Sequence, residues 1–251
     1  MQWSVLDKMK NKVAMITGAA VGIGRAVALQ MAEKGAKLVL LDMNVETLKK
    51  LEEELKVYDT EVMACVCDVS DEKAVNDVVQ SATEKFGGID ILVNNAALWR
   101  NFQAFLETPT ETWEKFMDIN VMSVVYCTKA VLPKMLENGY GRIVNVASVA
   151  GVYGNANMAV YSATKGAVIA MTKSLAKEVI GGGVVVNSVS PGSVSDSSNP
   201  DVDYFIPTEL SYIGRTGTGR ENAELICFLA SEKASYIVGQ NIQIDGCRKK
   251  A

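Results

Sequence analysis

The chain has 251 residues, 25 Lys and Arg against 29 Asp and Glu, a formal net charge of −4 and no histidine. Its charges are interspersed, so there is no basic stripe of the kind nucleic acid requires, and no apolar run is long enough to span a bilayer. The lack of histidine removes the usual proton shuttle near neutral pH, so acid–base chemistry must use another side chain.

Taken in chain order, Val13–Thr17 is an apolar run that reads as a strand, followed by Gly22–Lys34 as a helix. Lys37–Asp42 is the next strand, and Val45 to about Val57 is a Glu- and Lys-rich amphipathic helix. Further strands are read at Glu61–Val66, Ile89–Asn94, Arg142–Ala147, Val184–Val189 and Gln240–Ile244. Helical stretches lie between them near Asp71–Phe86, Glu111–Glu137, Met158–Val179 and Arg220–Ala230. Continuously apolar strands alternating with helices imply a parallel sheet covered on both faces. The expectation is a single doubly wound, Rossmann-like α/β domain over 1–251 with seven strands. The long irregular stretch from Pro191 to about Thr218 reads as a functional lid, over about 192–218, or as a disordered loop.

Cys65, Cys67, Cys127, Cys227 and Cys247 form neither a CxxC pair nor a metal-ligand cluster, so no metal is expected. Cys65 and Cys67 share one face of a strand and read as buried free thiols, which fits a reducing cytoplasm. The N-terminus, Met1 to Lys10, lacks the apolar stretch and cleavage site of a secretory leader.

The chemistry-bearing residues collect at strand ends. The first strand runs into Gly18-Ala19-Ala20-Val21-Gly22-Ile23-Gly24 and then a helix. Glycines there permit a tight turn and let backbone amides approach a pyrophosphate at the helix N-terminus, where unpaired N–H groups and the dipole favour an anion. Asp42 closes the second strand, where a carboxylate accepts from adenosine ribose hydroxyls and repels a 2′-phosphate, favouring NAD over NADP. Asp68-Val69 follows the third strand and Asn94-Asn95-Ala96 the fourth. Each alone passes as an ordinary turn; together they mark one crevice. Tyr161 and Lys165, four residues apart on a helix, face the same way. A free phenol ionises near ~10, and a nearby cation lowers that value. Alone, Tyr-x-x-x-Lys is also a common surface pair.

In order and spacing, Thr17-Gly18-x-x-x-Gly22-Ile23-Gly24, Asp68-Val69, Asn94-Asn95-Ala96, Asn120, Ser148, Tyr161-x-x-x-Lys165 and Pro191-Gly192 resemble the short-chain dehydrogenase/reductase family over nearly the whole chain. The resemblance implies strand order 3-2-1-4-5-6-7 and a homotetramer with the helices near Glu111–Glu137 and Met158–Val179 in an interface. It implies that Tyr161 exchanges a proton with the substrate oxygen and that Ser148 hydrogen-bonds that oxygen. Lys165 is expected to lower the Tyr161 pKa and hold the nicotinamide ribose, and Asn120 to position a water linking Lys165 to solvent. For Asn120, an amide bonding a nearby carbonyl is the plain alternative. The cofactor set so implied is Gly18, Gly22, Ile23, Gly24, Asp42, Asp68, Val69, Asn95, Ala96, Tyr161, Lys165, Pro191, Gly192 and Val194, with NAD as the cofactor.

Three positions depart from the family pattern: Ala97, Asp196 and Cys247 each stand where a glycine or threonine is usual. Asp196 in ionised form cannot donate to a carboxamide, a contact that Ser195 or Ser197 could supply. Trp99, Tyr153, Met158, Tyr204, Phe205, Ile206 and Pro207 are candidates for an apolar pocket, suggesting a bulky alcohol such as a hydroxysteroid, or else they are ordinary packing. The rivals to that reading are a 3-oxoacyl-[acyl-carrier-protein] reductase and a member that binds the dinucleotide without turnover.

Overall fold

The computed structural model describes residues 9–195 and 199–249. Seven parallel strands form one sheet in the order β3-β2-β1-β4-β5-β6-β7. They are β1 (Val13–Thr17), β2 (Lys37–Asp42), β3 (Val62–Val66), β4 (Ile91–Asn94), β5 (Gly141–Val146), β6 (Val184–Pro191) and β7 (Asn241–Ile244). The helices are α1 (Gly22–Glu33), α2 (Val45–Leu55), α3 (Glu72–Phe86), α4 (Thr110–Met117), α5 (Ser123–Glu137), α6 (Val149–Tyr153), α7 (Ala159–Val179) and α8 (Gly219–Leu229). The order reverses between β1 and β4, which opens a crevice beyond their C-terminal ends, where ligands of such sheets bind.

Both faces of β1 are buried because each meets a different helical layer. Ala14 and Ile16 pack with Val27 and Met31 of α1 and Ile226 of α8. Val13 and Met15 face the other way, into Val75 of α3, Val131 of α5 and Ala176 of α7. Strand alternation thus yields two cores from one continuous apolar run. The ends of β4 and β5 are tied by side chains as well as backbone. Asn94 Nδ2 donates to Asn145 Oδ1 at 2.9 Å, and Asn145 Nδ2 to Thr172 Oγ1 of α7 at 2.9 Å.

The structure differs from the reading of the sequence in several places. The single helix expected over 111–137 is interrupted by a π turn, Asp118–Met122, between α4 and α5. The stretch after Ser148 is a short helix, α6, that Ser148 itself caps. Cys65 is only half-buried, whereas burial pushes Cys67 up to about 11 and Cys127 up to about 12, so neither thiol is a ready nucleophile. Among the described residues no helix is long and apolar enough to cross a membrane, and no cluster of three or more His, Cys, Asp or Glu could hold a metal.

The described part of the 192–218 segment, 192–195 and 199–218, is held by three arginines. Arg25 donates to the Pro200 carbonyl at 2.5 Å, Arg220 pairs through Nε with both oxygens of Asp203, and Arg215 forks onto Glu221. Glu221 also completes a capping box with Thr218 at the start of α8. Thr218→Ala leaves the Glu221 N–H without its cap, and the unfolding free energy in urea is expected to fall by about 1 kcal/mol.

Candidate active site

The turn after β1 is shaped by backbone geometry. Gly18 has φ 60°, in the left-handed region, and a Cβ on Gly24 would lie 2.1 Å from the Gly18 carbonyl oxygen. The turn delivers an α1 N-terminus that has no side-chain cap and no acid in its first turn. By contrast, α2, α3 and α8 are capped by Asn44, Asp71 and Thr218. The first amides of α1 therefore remain free for an anion at the crevice, which is the arrangement a dinucleotide pyrophosphate needs. Gly22 opens the helix at φ 57°, while Ile23 packs against the core beneath it.

Neighbouring residues brace this cradle. Asn95 Nδ2 donates to the Thr17 and Gly18 carbonyls at 3.0 and 2.9 Å, and the amides of Asn95 and Ala96 both donate to Thr17 Oγ1 at 3.0 Å. Asn95 Nδ2 is thus spent on shaping the cradle, while its Oδ1 faces no donor in these bonds. Asp42 Oδ2 accepts from the Ala20 N–H at 3.0 Å and Oδ1 from the Asn44 N–H at 2.9 Å. Each carboxylate oxygen keeps a further lone pair for a hydroxyl donor. At the end of β3, Asp68 is exposed and accepts from Ser70, and Val69 is buried. Beyond β6, Gly192 N–H donates to the Ile244 carbonyl and Val194 bridges to Gly217, fixing the segment after Pro191 at the crevice edge. Asp196 and Ser197 lie outside the described residues.

Ser148, Tyr161 and Lys165 converge at the end of β5. Ser148 is extended and its Oγ accepts from the Ala150 N–H at 3.1 Å. Tyr161 lies in the first turn of α7, with Lys165 one turn on. Lys165 is only 3% exposed, and its ammonium donates to the Val146 carbonyl at 2.7 Å and stands 5.9 Å from the centre of the Tyr161 ring. Burial lowers its pKa to about 8. The Tyr161 pKa is raised, because burial disfavours the phenolate, and hydrogen bonding with the Ser148 hydroxyl pulls the other way. The pair is assembled as expected, but the expected lowering of the Tyr161 pKa by Lys165 is absent: desolvation dominates the phenol, and the ammonium is turned to Val146.

Asn120 lies in the π turn and is fully buried. Its Nδ2 donates to the Leu98 carbonyl at 2.9 Å and to Thr164 Oγ1 at 3.0 Å, while Oδ1 accepts from the Leu98 N–H at 2.7 Å. Both amide hydrogens are used, so the side chain clamps the stretch after β4 to α7, while Oδ1 keeps a second lone pair. Thr17 opened the glycine motif in the sequence, but its bracing role was not read there, and the Val146 carbonyl that holds the lysine was missed, since a backbone acceptor leaves no residue signal. A cavity of about 280 Å³ lies beside α1, lined by residues such as Gln30, Glu33, Tyr58 and Arg220 and by none of the catalytic or cradle residues.

The family described as enoyl-(acyl carrier protein) reductase matches residues 18–247. The 3-oxoacyl-[acyl-carrier-protein] reductase FabG of Thermotoga maritima is 39% identical over 242 residues, 95% of this chain and 98% of the relative. A 2-dehydro-3-deoxy-L-rhamnonate dehydrogenase (NAD(+)) of a Sphingomonas species is 37% identical over 244 residues, 95% of each chain. The crystal structure of an NAD+-bound xylitol dehydrogenase superposes with a TM-score of 0.88 at 35% identity, covering 95% of this chain and 99% of that one. Matching over almost its whole length and built on the same sheet, the chain belongs to the short-chain dehydrogenase/reductase family of oxidoreductases.

Proposed function

We propose that this protein interconverts a secondary alcohol and its ketone with NAD(H), using Tyr161 as acid–base and Ser148 and Lys165 as its partners. The observation that carries the reading is the convergence of these three side chains beside a crevice with an uncapped helix end. A nicotinamide dinucleotide, when bound, supplies the hydride acceptor or donor. The free amides of α1 hold its pyrophosphate and Asp42 accepts from the adenosine ribose hydroxyls. Lys165 has two N–H donors beyond the one given to Val146, and these serve the nicotinamide ribose. In oxidation Tyr161 takes the hydroxyl proton, and in reduction the phenol returns it to the carbonyl oxygen, which Ser148 Oγ also hydrogen-bonds. Asp42 supports NAD over NADP because a ribose phosphate would meet an anion there. The NAD-linked names of the Sphingomonas dehydrogenase and the xylitol dehydrogenase support the same choice.

We further place the protein in the cytoplasm as a homotetramer, with residues 192–218 serving as a substrate lid. Exposed apolar side chains on and beside α4 and α5, including Phe105, Leu106 and Met117, support burial of that face against a second copy. Reduction of a 3-oxoacyl thioester is the second reading, supported by the Thermotoga relative. A bulky apolar alcohol such as a hydroxysteroid stays within the first, supported by the exposed Trp99, Phe205 and Ile206.

Tyr161→Phe is expected to lower kcat by 100-fold or more, roughly the range of a lost general acid–base, with cofactor Kd within about twofold. Equal turnover by the two proteins, measured by NADH absorbance, would remove the acid–base assignment. Because burial raises the Tyr161 pKa and oxidation needs phenolate, kcat for oxidation should rise with pH from neutrality upward. Reduction needs the protonated phenol and should stay flat over the same range; matching profiles in both directions would contradict this. Wild-type kcat/KM should favour NADH over NADPH, and Asp42→Ala should narrow that ratio by about tenfold or more.

A further inference from the structure

β7 and the C-terminal tail beyond it are joined to two segments that frame the proposed substrate mouth. Toward the lid, the Tyr212 N–H donates to the Cys247 carbonyl at 2.9 Å, the Lys249 N–H to the Leu210 carbonyl at 2.9 Å, and Ser211 bridges Arg248. Toward the loop that leads from Ser148 to Tyr161, Tyr153 hydroxyl donates to Gln243 Oε1 at 2.5 Å, and Arg248 Nη2 donates to Asn155 Oδ1 at 2.9 Å. Asn155 is itself anchored beside the acid–base, since its N–H donates to Oγ of Ser162, the residue after Tyr161, at 3.3 Å. The Arg248 side chain therefore lies where tail, lid and the Ser148–Tyr161 loop meet.

Its pairing differs from that of three other arginines and resembles that of Arg142, which bonds a carbonyl and lies over the Tyr140 ring. Arg25, Arg215 and Arg220 each pair with a carboxylate, from Glu54, Glu221 and Asp203. Among the described residues no carboxylate lies within ion-pair distance of Arg248, whose one hydrogen bond goes to a neutral amide. It is half-buried, so its charge is partly removed from water without an anion to answer it. A guanidinium has five N–H donors in a fixed fork suited to a carboxylate, and the Asn155 bond uses one and sets the plane of the rest.

We propose that Arg248 is a specificity-determining residue that binds a carboxylate on the alcohol substrate, so that the substrate is a hydroxy acid and the product a keto acid. This rests on the alcohol–ketone reading given above. Exposed Trp99, Tyr204, Phe205 and Ile206 then cover the carbon skeleton while Arg248 fixes its charged end.

The test compares 3-hydroxybutyrate, gluconate and cholate, each beside its primary amide, as substrates of the wild type, Arg248→Gln, Arg248→Lys and Asn155→Ala. At least one acid should exceed its amide in kcat/KM by about 10- to 100-fold, the worth of a charged hydrogen bond. Arg248→Gln should erase that ratio, chiefly through KM, and Arg248→Lys should restore part of it. Asn155→Ala should reduce the ratio with the guanidinium retained, and it provides the reading if Arg248→Gln does not fold. An unchanged ratio in Arg248→Gln, or a wild type that prefers the amides, overturns the proposal. If the amides are then still oxidised in a Tyr161-dependent way, only the carboxylate assignment fails. No turnover of any alcohol removes both readings.

Discussion

A lysine ammonium taken almost wholly out of water organises the centre of this protein. Removing such a charge from solvent costs several kcal/mol unless polar partners compensate. The Val146 carbonyl, at the last residue of β5, is the acceptor that Lys165 finds. That bond fastens α7 to the sheet end. The adjacent Thr164 accepts from Asn120, and Asn120 in turn grips both backbone groups of Leu98 after β4. Tyr161, three residues before Thr164, inherits its position from this chain of bonds.

The same logic governs the anion side of the crevice. Residues whose amides and carboxylates look free in one dimension are spent on holding backbone in place. Asn95 secures the turn after β1, and Asp42 secures it from the neighbouring strand. What the fold leaves unpaired is more informative: the first amides of α1, and the remaining donors of Lys165. Unmet hydrogen-bonding capacity that opens onto the crevice points toward the ligand.

How much could be read beforehand depended on whether one element decided the answer. β1 and β2 were placed to the residue, because helices cover both of their faces and the apolar runs end abruptly at Gly18 and at Met43. β4 begins at Ile91 and not at Ile89, since the Asp90 carboxylate and backbone turn to Val13 and Arg142 outside the ladder. The π turn at Asp118–Met122 carries no residue signature, and a five-residue helix such as α6 is too short for any period to register. The acid–base set was legible because its members are spaced along one helix and one strand end. The direction of the Tyr161 pKa was not, because desolvation depends on everything packed around the ring.

An exposed seam in the secondary structure has one more implication. α1 packs along α8 and under β1, at the heart of one core, yet its leading end lacks the side-chain cap that α2, α3, α6 and α8 possess. Whatever anion settles there acts on folding as well as on chemistry, for occupancy adds RT ln(1 + [L]/Kd) to the native state. The protein's resistance to heat and proteolysis should therefore track the supply of that anion in its surroundings, making durability itself a reporter of what the crevice holds.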